Sequence, residues 1–297
     1  MRILATLFIA TLALSLGACS SSSTSTSPTM PPPFHVYTSD FHNPGTVSIF
    51  TTPLSASSIP SGSFAGNNSP ADMTLDAAHR LFVANFGSST VTVFAPPISS
   101  GATPSFTLTT TMQAEDPALD GSGNLYVAGS VGAINVFNAP VTSSSTVSFS
   151  ITSGFTDTRG LAFDASGNLW INAVSGVNPI IAKYTPPFGA ASTPALSFTS
   201  SGNIHGIAFD GAGNIYAAGS SGVDVYTPPF SAATTKSFTI TANSPNYLKF
   251  DSSGNLYVTD SAGHLLVFTP PFSGSSTPAI TVSLPGSPGL PGVAIGP

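Results

Sequence analysis

The side chains in this chain that could do chemistry recur at one slot of a repeated unit. Five and four residues before a recurring aspartate stand Ala71-Asp72, Glu115-Asp116, Arg159-Gly160, His205-Gly206 and Asn246-Tyr247, and Pro291-Gly292 aligns with them near the C-terminus. Carboxylates, a guanidinium, an imidazole and an amide hold polar ligands by directed hydrogen bonds or move protons. Asp72, Glu115, Asp116, Arg159, His205 and Asn246 are therefore the candidate ligand-binding residues. Asp157 stands beside them, and Asp40, Asn85 and Asp260 are expected in an outer ring. Polar residues that diverge at one layer while the surrounding frame repeats are what a binding site produces. Ordinary loop residues facing solvent are the plain alternative. His205 as a general base would need a substrate proton within about 3 Å. The chain holds no Ser/His/Asp nucleophile elbow, cysteine nucleophile, phosphate loop or HExxH motif, so no catalytic residue, metal ligand or cofactor is assigned.

The frame that must position these residues is a repeat. It is clearest in Gly160–Ile171 (GLAFDASGNLWI) and returns in Gly206–Ala217 (GIAFDGAGNIYA). The anchoring aspartates Asp76, Asp120, Asp164, Asp210 and Asp251 are spaced by 44, 44, 46 and 41 residues. Each unit reads as four strands. The first precedes the aspartate, and the second follows Gly-Asn. The third is a β-branched and aromatic run ending at a prolyl turn, as in Val223–Tyr226 before Thr227-Pro228-Pro229. The fourth alternates, as in Ser237-Phe238-Thr239-Ile240. A period in the low forties with four short strands predicts an all-β propeller. The Asp-x-x-Gly-Asn element suits a turn whose aspartate accepts backbone N–H groups and whose glycine supplies positive φ; a calcium loop is the alternative. His79-Arg80 replaces Gly-Asn in one unit, which predicts an altered turn. The aromatic slot of the second strand (Tyr37, Phe82, Tyr126, Trp170, Tyr216, Tyr257) is expected to pack between units.

The ends complete the count. Residues 36–40 read as a second strand without a first, and Gly292–Ile295 as a first strand without a second. Joining them closes a six-bladed ring over 34–297 and removes exposed sheet edges. The unit at Asp251–Phe268 resembles an NHL repeat and, more loosely, the six-bladed gluconolactonase superfamily. That resemblance implies a propeller and, in the lactonase branch, a divalent metal held by a Glu with Asn and Asp residues around the axis. The glutamate-glycine-proline signature of that branch is missing, and Glu115 is the only glutamate. A metal-dependent, lactonase-like hydrolase is thus the alternative to a non-enzymatic binding or interaction module.

Only 18 residues are charged (6 Lys and Arg, 12 Asp and Glu), and no basic run exists. Nucleic-acid binding through a basic face is excluded on that count. Residues 1–18 have the layout of a secretory signal peptide. Leu16-Gly17-Ala18-Cys19 resembles a bacterial lipobox, which implies cleavage before Cys19 and its acylation. Residues 19–33, rich in Ser, Thr and Pro, read as a tether. The expected partners are the lipid bilayer through Cys19 and an unknown protein, glycan or small-molecule ligand. The expected state is a monomer in the cell envelope, at the outer membrane if the cell is Gram-negative, with the propeller on the extracytoplasmic side.

Overall fold

A computed structural model describes residues 34–297 apart from 153, 203–204, 220 and 287–288. The expected signal peptide, Cys19 and the expected tether lie outside the described residues. Among the described residues the chain forms twenty-four strands and one short 3₁₀ turn at Phe86–Ser88. In order they are β1 (His35–Ser39), β2 (Gly45–Thr51), β3 (Gly62–Asn67), β4 (Pro70–Leu75), β5 (Leu81–Asn85), β6 (Thr90–Phe94), β7 (Phe106–Thr109) and β8 (Ala114–Leu119). Next come β9 (Leu125–Gly129), β10 (Ala133–Phe137), β11 (Phe149–Thr152), β12 (Asp157–Phe163), β13 (Leu169–Ser175), β14 (Asn178–Tyr184), β15 (Leu196–Thr199) and β16 (Ile207–Phe209). The last are β17 (Ile215–Gly219), β18 (Gly222–Tyr226), β19 (Phe238–Thr241), β20 (Pro245–Phe250), β21 (Leu256–Asp260), β22 (His264–Phe268), β23 (Ile280–Ser283) and β24 (Val293–Gly296).

They make six four-stranded antiparallel sheets. The first is β24-β1-β2-β3, and the other five each run through four consecutive strands from β4-β5-β6-β7 to β20-β21-β22-β23. The innermost strands touch in the cycle β24, β4, β8, β12, β16, β20 and back to β24, so the sheets are the blades of a closed ring. The C-terminal strand completes the N-terminal blade as the sequence predicts, with His35 opposite Gly296 and Thr38 opposite Val293.

Turn chemistry explains why the blades repeat. In the Asp164 turn one carboxylate oxygen accepts the N–H groups of Ser166 and Asn168 at 2.9 and 3.0 Å. The other accepts Asn168 Nδ2 and Trp170 Nε1, both at 2.8 Å. The equivalent aspartates bind the same backbone positions, so their oxygens are spent on the turn and the calcium alternative falls. The expectation of an altered turn at His79-Arg80 is also corrected. His79 takes the left-handed conformation (φ 60°), Arg80 N–H bonds Asp76 at 2.8 Å, and Arg80 Nε stands in for the missing asparagine amide at 2.7 Å. Guanidinium and amide N–H both reach the same carboxylate oxygen, so the turn survives the change. The second-strand aromatics pack between blades as expected. Trp170, for example, meets Phe209 and Phe230 of the next blade edge-on at 5.8 and 5.1 Å.

Candidate functional site

The innermost strands carry the candidate layer, and a local irregularity sets its geometry. The register of β4, β8, β12 and β20 slips at Ala71-Asp72, Glu115-Asp116, Arg159 and Asn246-Tyr247. A bulge of this kind re-aims side chains, here at one end of the channel. In three blades the second residue of the slot is glycine (Gly160, Gly206 and Gly292), because backbones come too close for a side chain. A Cβ on Gly160 would collide with the His205 carbonyl, and one on Gly292 with the Ala71 carbonyl.

Asp72 and Asp116 are fully buried, and each bridges to a neighbouring blade: Asp72 accepts Val293 N–H at 2.9 Å and Asp116 accepts Leu161 N–H at 2.8 Å. Their free oxygens share one cation that the sequence reading missed. Lys249, from the sixth blade, crosses the axis to lie 2.7 Å from Asp72 and 3.9 Å from Asp116 of the second and third blades. Burial lowers the Lys249 pKa, but Asp116 and Asp72 together hold it above its ordinary value. Asp116 is pushed well above the usual carboxylate range, chiefly by burial and also by the Asp72 charge. The stem of Lys249 borders a cavity of about 150 Å³ at the other side of this plug, with Thr74, Phe250 and Ala294. A signal for Lys249 does exist in the repeat. The corresponding residues are Thr74, Ala118, Ala162, Ala208 and Ala294, small side chains that leave room for one long one.

On the mouth side of the plug lie the other four candidates. Glu115 is buried, and its nearest cation is Arg159 Nε at 3.9 Å. Arg159 pairs more closely with Asp157, at 2.7 Å. Burial pushes Glu115 up to about 8; Asp157 adds to the rise and Arg159 opposes it. His205 is buried and held down to about 4 by burial and then by the Arg159 charge. Its ring lies 5.8 Å from that of Tyr247, which is fully buried and which the sequence placed in the layer without singling it out. Asn246 accepts Ser261 Oγ at 3.2 Å while its own N–H₂ stays unbonded. Glu115 Oε2, His205 Nδ1, Asn246 Nδ2, Tyr247 Oη and both amide atoms of Asn172 are buried without a hydrogen-bond partner in the protein. Asn172 was also missed. It fills a second-strand slot that is Ser39, Ala84, Ala128, Ala218 or Thr259 elsewhere.

The solvent-facing alternative is therefore overturned for five of the six candidates, since Asp72, Glu115, Asp116, His205 and Asn246 are all buried. Arg159 keeps partial exposure at the rim. Asp40, Asn85 and Asp260 stand at the ends of the second strands β1, β5 and β21, where short polar side chains bond within their own turns and hairpins. Asp40 accepts the N–H and hydroxyl of Thr46, and Asp260 accepts His264 N–H at 2.8 Å. Asn85 donates to Thr92 at 2.7 Å.

No known family's sequence profile matches the chain, and no curated protein matches it. Solved structures do. A chain of the nidogen/laminin complex aligns with TM-score 0.67 at 16% identity over 89% of this chain and 98% of that one. The Pseudomonas aeruginosa periplasmic gluconolactonase aligns with TM-score 0.61 at 16% identity over 86% and 84%. A protein of unknown function from Desulfotomaculum acetoxidans aligns with TM-score 0.58 at 13% identity over 84% and 79%. The shared feature is the fold. At such identities the NHL and gluconolactonase likenesses carry no activity to this chain.

The lactonase likeness implies a divalent metal near the axis, and the residues present do not fit one. Both Asp72 oxygens are taken, by Lys249 and the Val293 N–H, and of the Asp116 oxygens one accepts the Leu161 N–H while the other lies 3.9 Å from the Lys249 ammonium. Among the described residues no three His, Cys, Asp or Glu side chains converge as a ligand set.

Proposed function

We propose that this protein is an envelope lipoprotein whose propeller is a binding module, with a small polar ligand taken up at the channel mouth. The supporting observation is the set of buried, unpartnered polar atoms on Glu115, Asn172, His205, Asn246 and Tyr247. Each such group costs about 1–3 kcal/mol of stability when left unpaired. A fold that needed only to close would place apolar side chains there, as the same slots do in other blades with Ala71 or Ala84. A bound ligand offering hydrogen bonds recovers that cost. The anchoring half of the reading rests on the lipobox-like run ending at Cys19 and the uncharged tether after it.

Ligand-observed NMR with a panel of sugars, polyols, amino acids, carboxylates and amines tests the mouth. At least one compound is expected to bind the native protein and to lose binding in a Glu115→Gln/Asn246→Ala variant. Equal binding by both proteins moves the site elsewhere. For the anchor, labelled palmitate should enter the native protein and not a Cys19→Ser variant; equal labelling refutes it. Calorimetric titration with Ca²⁺, Mn²⁺ and Zn²⁺ addresses the hydrolase alternative. Micromolar binding that competes with Lys249 would restore it.

A further inference from the structure

We propose that the ligand carries a primary ammonium group, seated on Glu115 between Tyr247 and His205. This rests on the mouth being a binding site and names the chemistry it selects. The first observation is a shortage of cations for the carboxyl groups along the axis. Among the described residues four carboxylates, Asp72, Glu115, Asp116 and Asp157, meet only two cations, Arg159 and Lys249. Both cations are committed elsewhere, Arg159 to Asp157 and Lys249 to Asp72, each at 2.7 Å. Glu115 Oε2 and Asp116 Oδ1 are left as buried acceptors with no hydrogen bond. A buried carboxylate without a partner is costly, so Glu115 keeps its proton in the free protein, and a cation is what can take that proton's place.

The second observation is independent of the acids. Tyr247 and His205 are buried, their rings inclined at 58°, and Tyr247 Oη and His205 Nδ1 have no partner in the protein. Tyr247 belongs to the blade opposite Glu115. After burial, the Glu115 charge is the one that most raises the Tyr247 pKa. An ammonium offers three N–H donors and a charge that aromatic faces attract. The acceptors around it are Glu115 Oε2, Tyr247 Oη and His205 Nδ1. An uncharged ligand would not replace the Glu115 proton, and an anionic one would add a further negative group beside Glu115 and Asp157. Lys249 already shows the same chemistry one layer down, an alkylammonium between two carboxylates.

The charged and titratable groups around Glu115 are Arg159 and Asp157 from the fourth blade, Tyr247 from the sixth and, next to it in sequence, Asp116 with its partners Lys249 and Asp72. Ionised Glu115 holds the cation, while the free protein keeps that carboxyl protonated up to about pH 8. Binding therefore releases a proton and tightens as pH rises, by about fiftyfold from pH 6 to pH 8 for a one-proton linkage.

The test is calorimetric titration of the intact protein with ethanolamine, ethylene glycol and glycolate, two-carbon probes that differ in charge, in buffers of different ionisation enthalpy. Ethanolamine should bind at least tenfold more tightly than the other two, release up to one proton and tighten about fiftyfold from pH 6 to pH 8. Glu115→Gln should abolish that pH dependence and weaken binding at least tenfold at pH 8. Tyr247→Phe, which keeps the ring, should weaken it severalfold. Thermal unfolding of both variants establishes that they are folded. Equal or tighter binding of ethylene glycol or glycolate, lost in Glu115→Gln, overturns the ammonium while leaving the binding site intact. No binding of ethanolamine up to 100 mM also overturns it, and the wider NMR panel then decides whether the mouth binds anything.

Discussion

Glu115 and His205 flank one guanidinium, and burial moves their protons in opposite directions. Glu115 titrates at about 8 in the folded protein and near 4.3 unfolded, so the folded state holds the proton between those values and stability falls as pH rises. His205 titrates at about 4 folded and near 6.5 unfolded, so its effect is a loss of stability as pH falls through that window. The two oppose one another below about pH 6.5, and from there to pH 8 the Glu115 effect stands without the histidine. Glu115→Gln should therefore become more stable relative to the native protein by about 1.4 kcal/mol per pH unit over that range. Urea unfolding at pH 6.5, 7.2 and 8 measures this, and parallel pH profiles would contradict the burial of the carboxyl. Lys249→Met makes the converse case. It leaves Asp72 and Asp116 without their cation and should cost about 3–5 kcal/mol at pH 7. A loss below 1 kcal/mol at pH 7 would mean that the axial bridge contributes little.

The blade is legible in the sequence because its determinants are local. Asp164, Gly167, Asn168 and Trp170 complete one turn among themselves, and the same spacing recurs around the ring. The inner strands are legible only in part. Divergence at one slot marks Glu115, Arg159, His205 and Asn246 as a layer, but the buried places of Glu115 and Asn246 lie at bulges that no residue type announces. Lys249 reads as one more cation until five small residues at the matching slot are seen to clear its path. The glycines of the inner strands test this packing. Gly160→Ala forces a methyl against the His205 carbonyl and should cost about 1–3 kcal/mol, whereas Gly189→Ala, with nothing within 4 Å, should cost well under 1 kcal/mol. Equal unfolding midpoints for the two variants would contradict the close approach of neighbouring blades.

At the scale of the molecule, closure depends on the last strand. β24 pairs with β1, Asp72 accepts Val293 N–H, and Gly292 N–H bonds Ser39 Oγ at 2.7 Å. Deleting residues 290–297 removes all three and exposes two blade faces. The melting temperature should fall by roughly 10 °C or more, from several kcal/mol of lost burial and pairing. An unchanged melting temperature would refute closure. This closure is legible from the unmatched strands at the two ends, whereas the channel contents require the assembled ring. The claim on which the functional reading turns is that the mouth holds an unpaired carboxyl waiting for a partner. Glu115 is the only glutamate in the chain, so ¹³C-labelled glutamate gives one carboxyl resonance to follow by NMR. Its midpoint should lie near pH 8 in the free protein and move well below that with saturating ethanolamine. A midpoint near 4.5, unmoved by ethanolamine or by any member of the wider panel, would contradict the account.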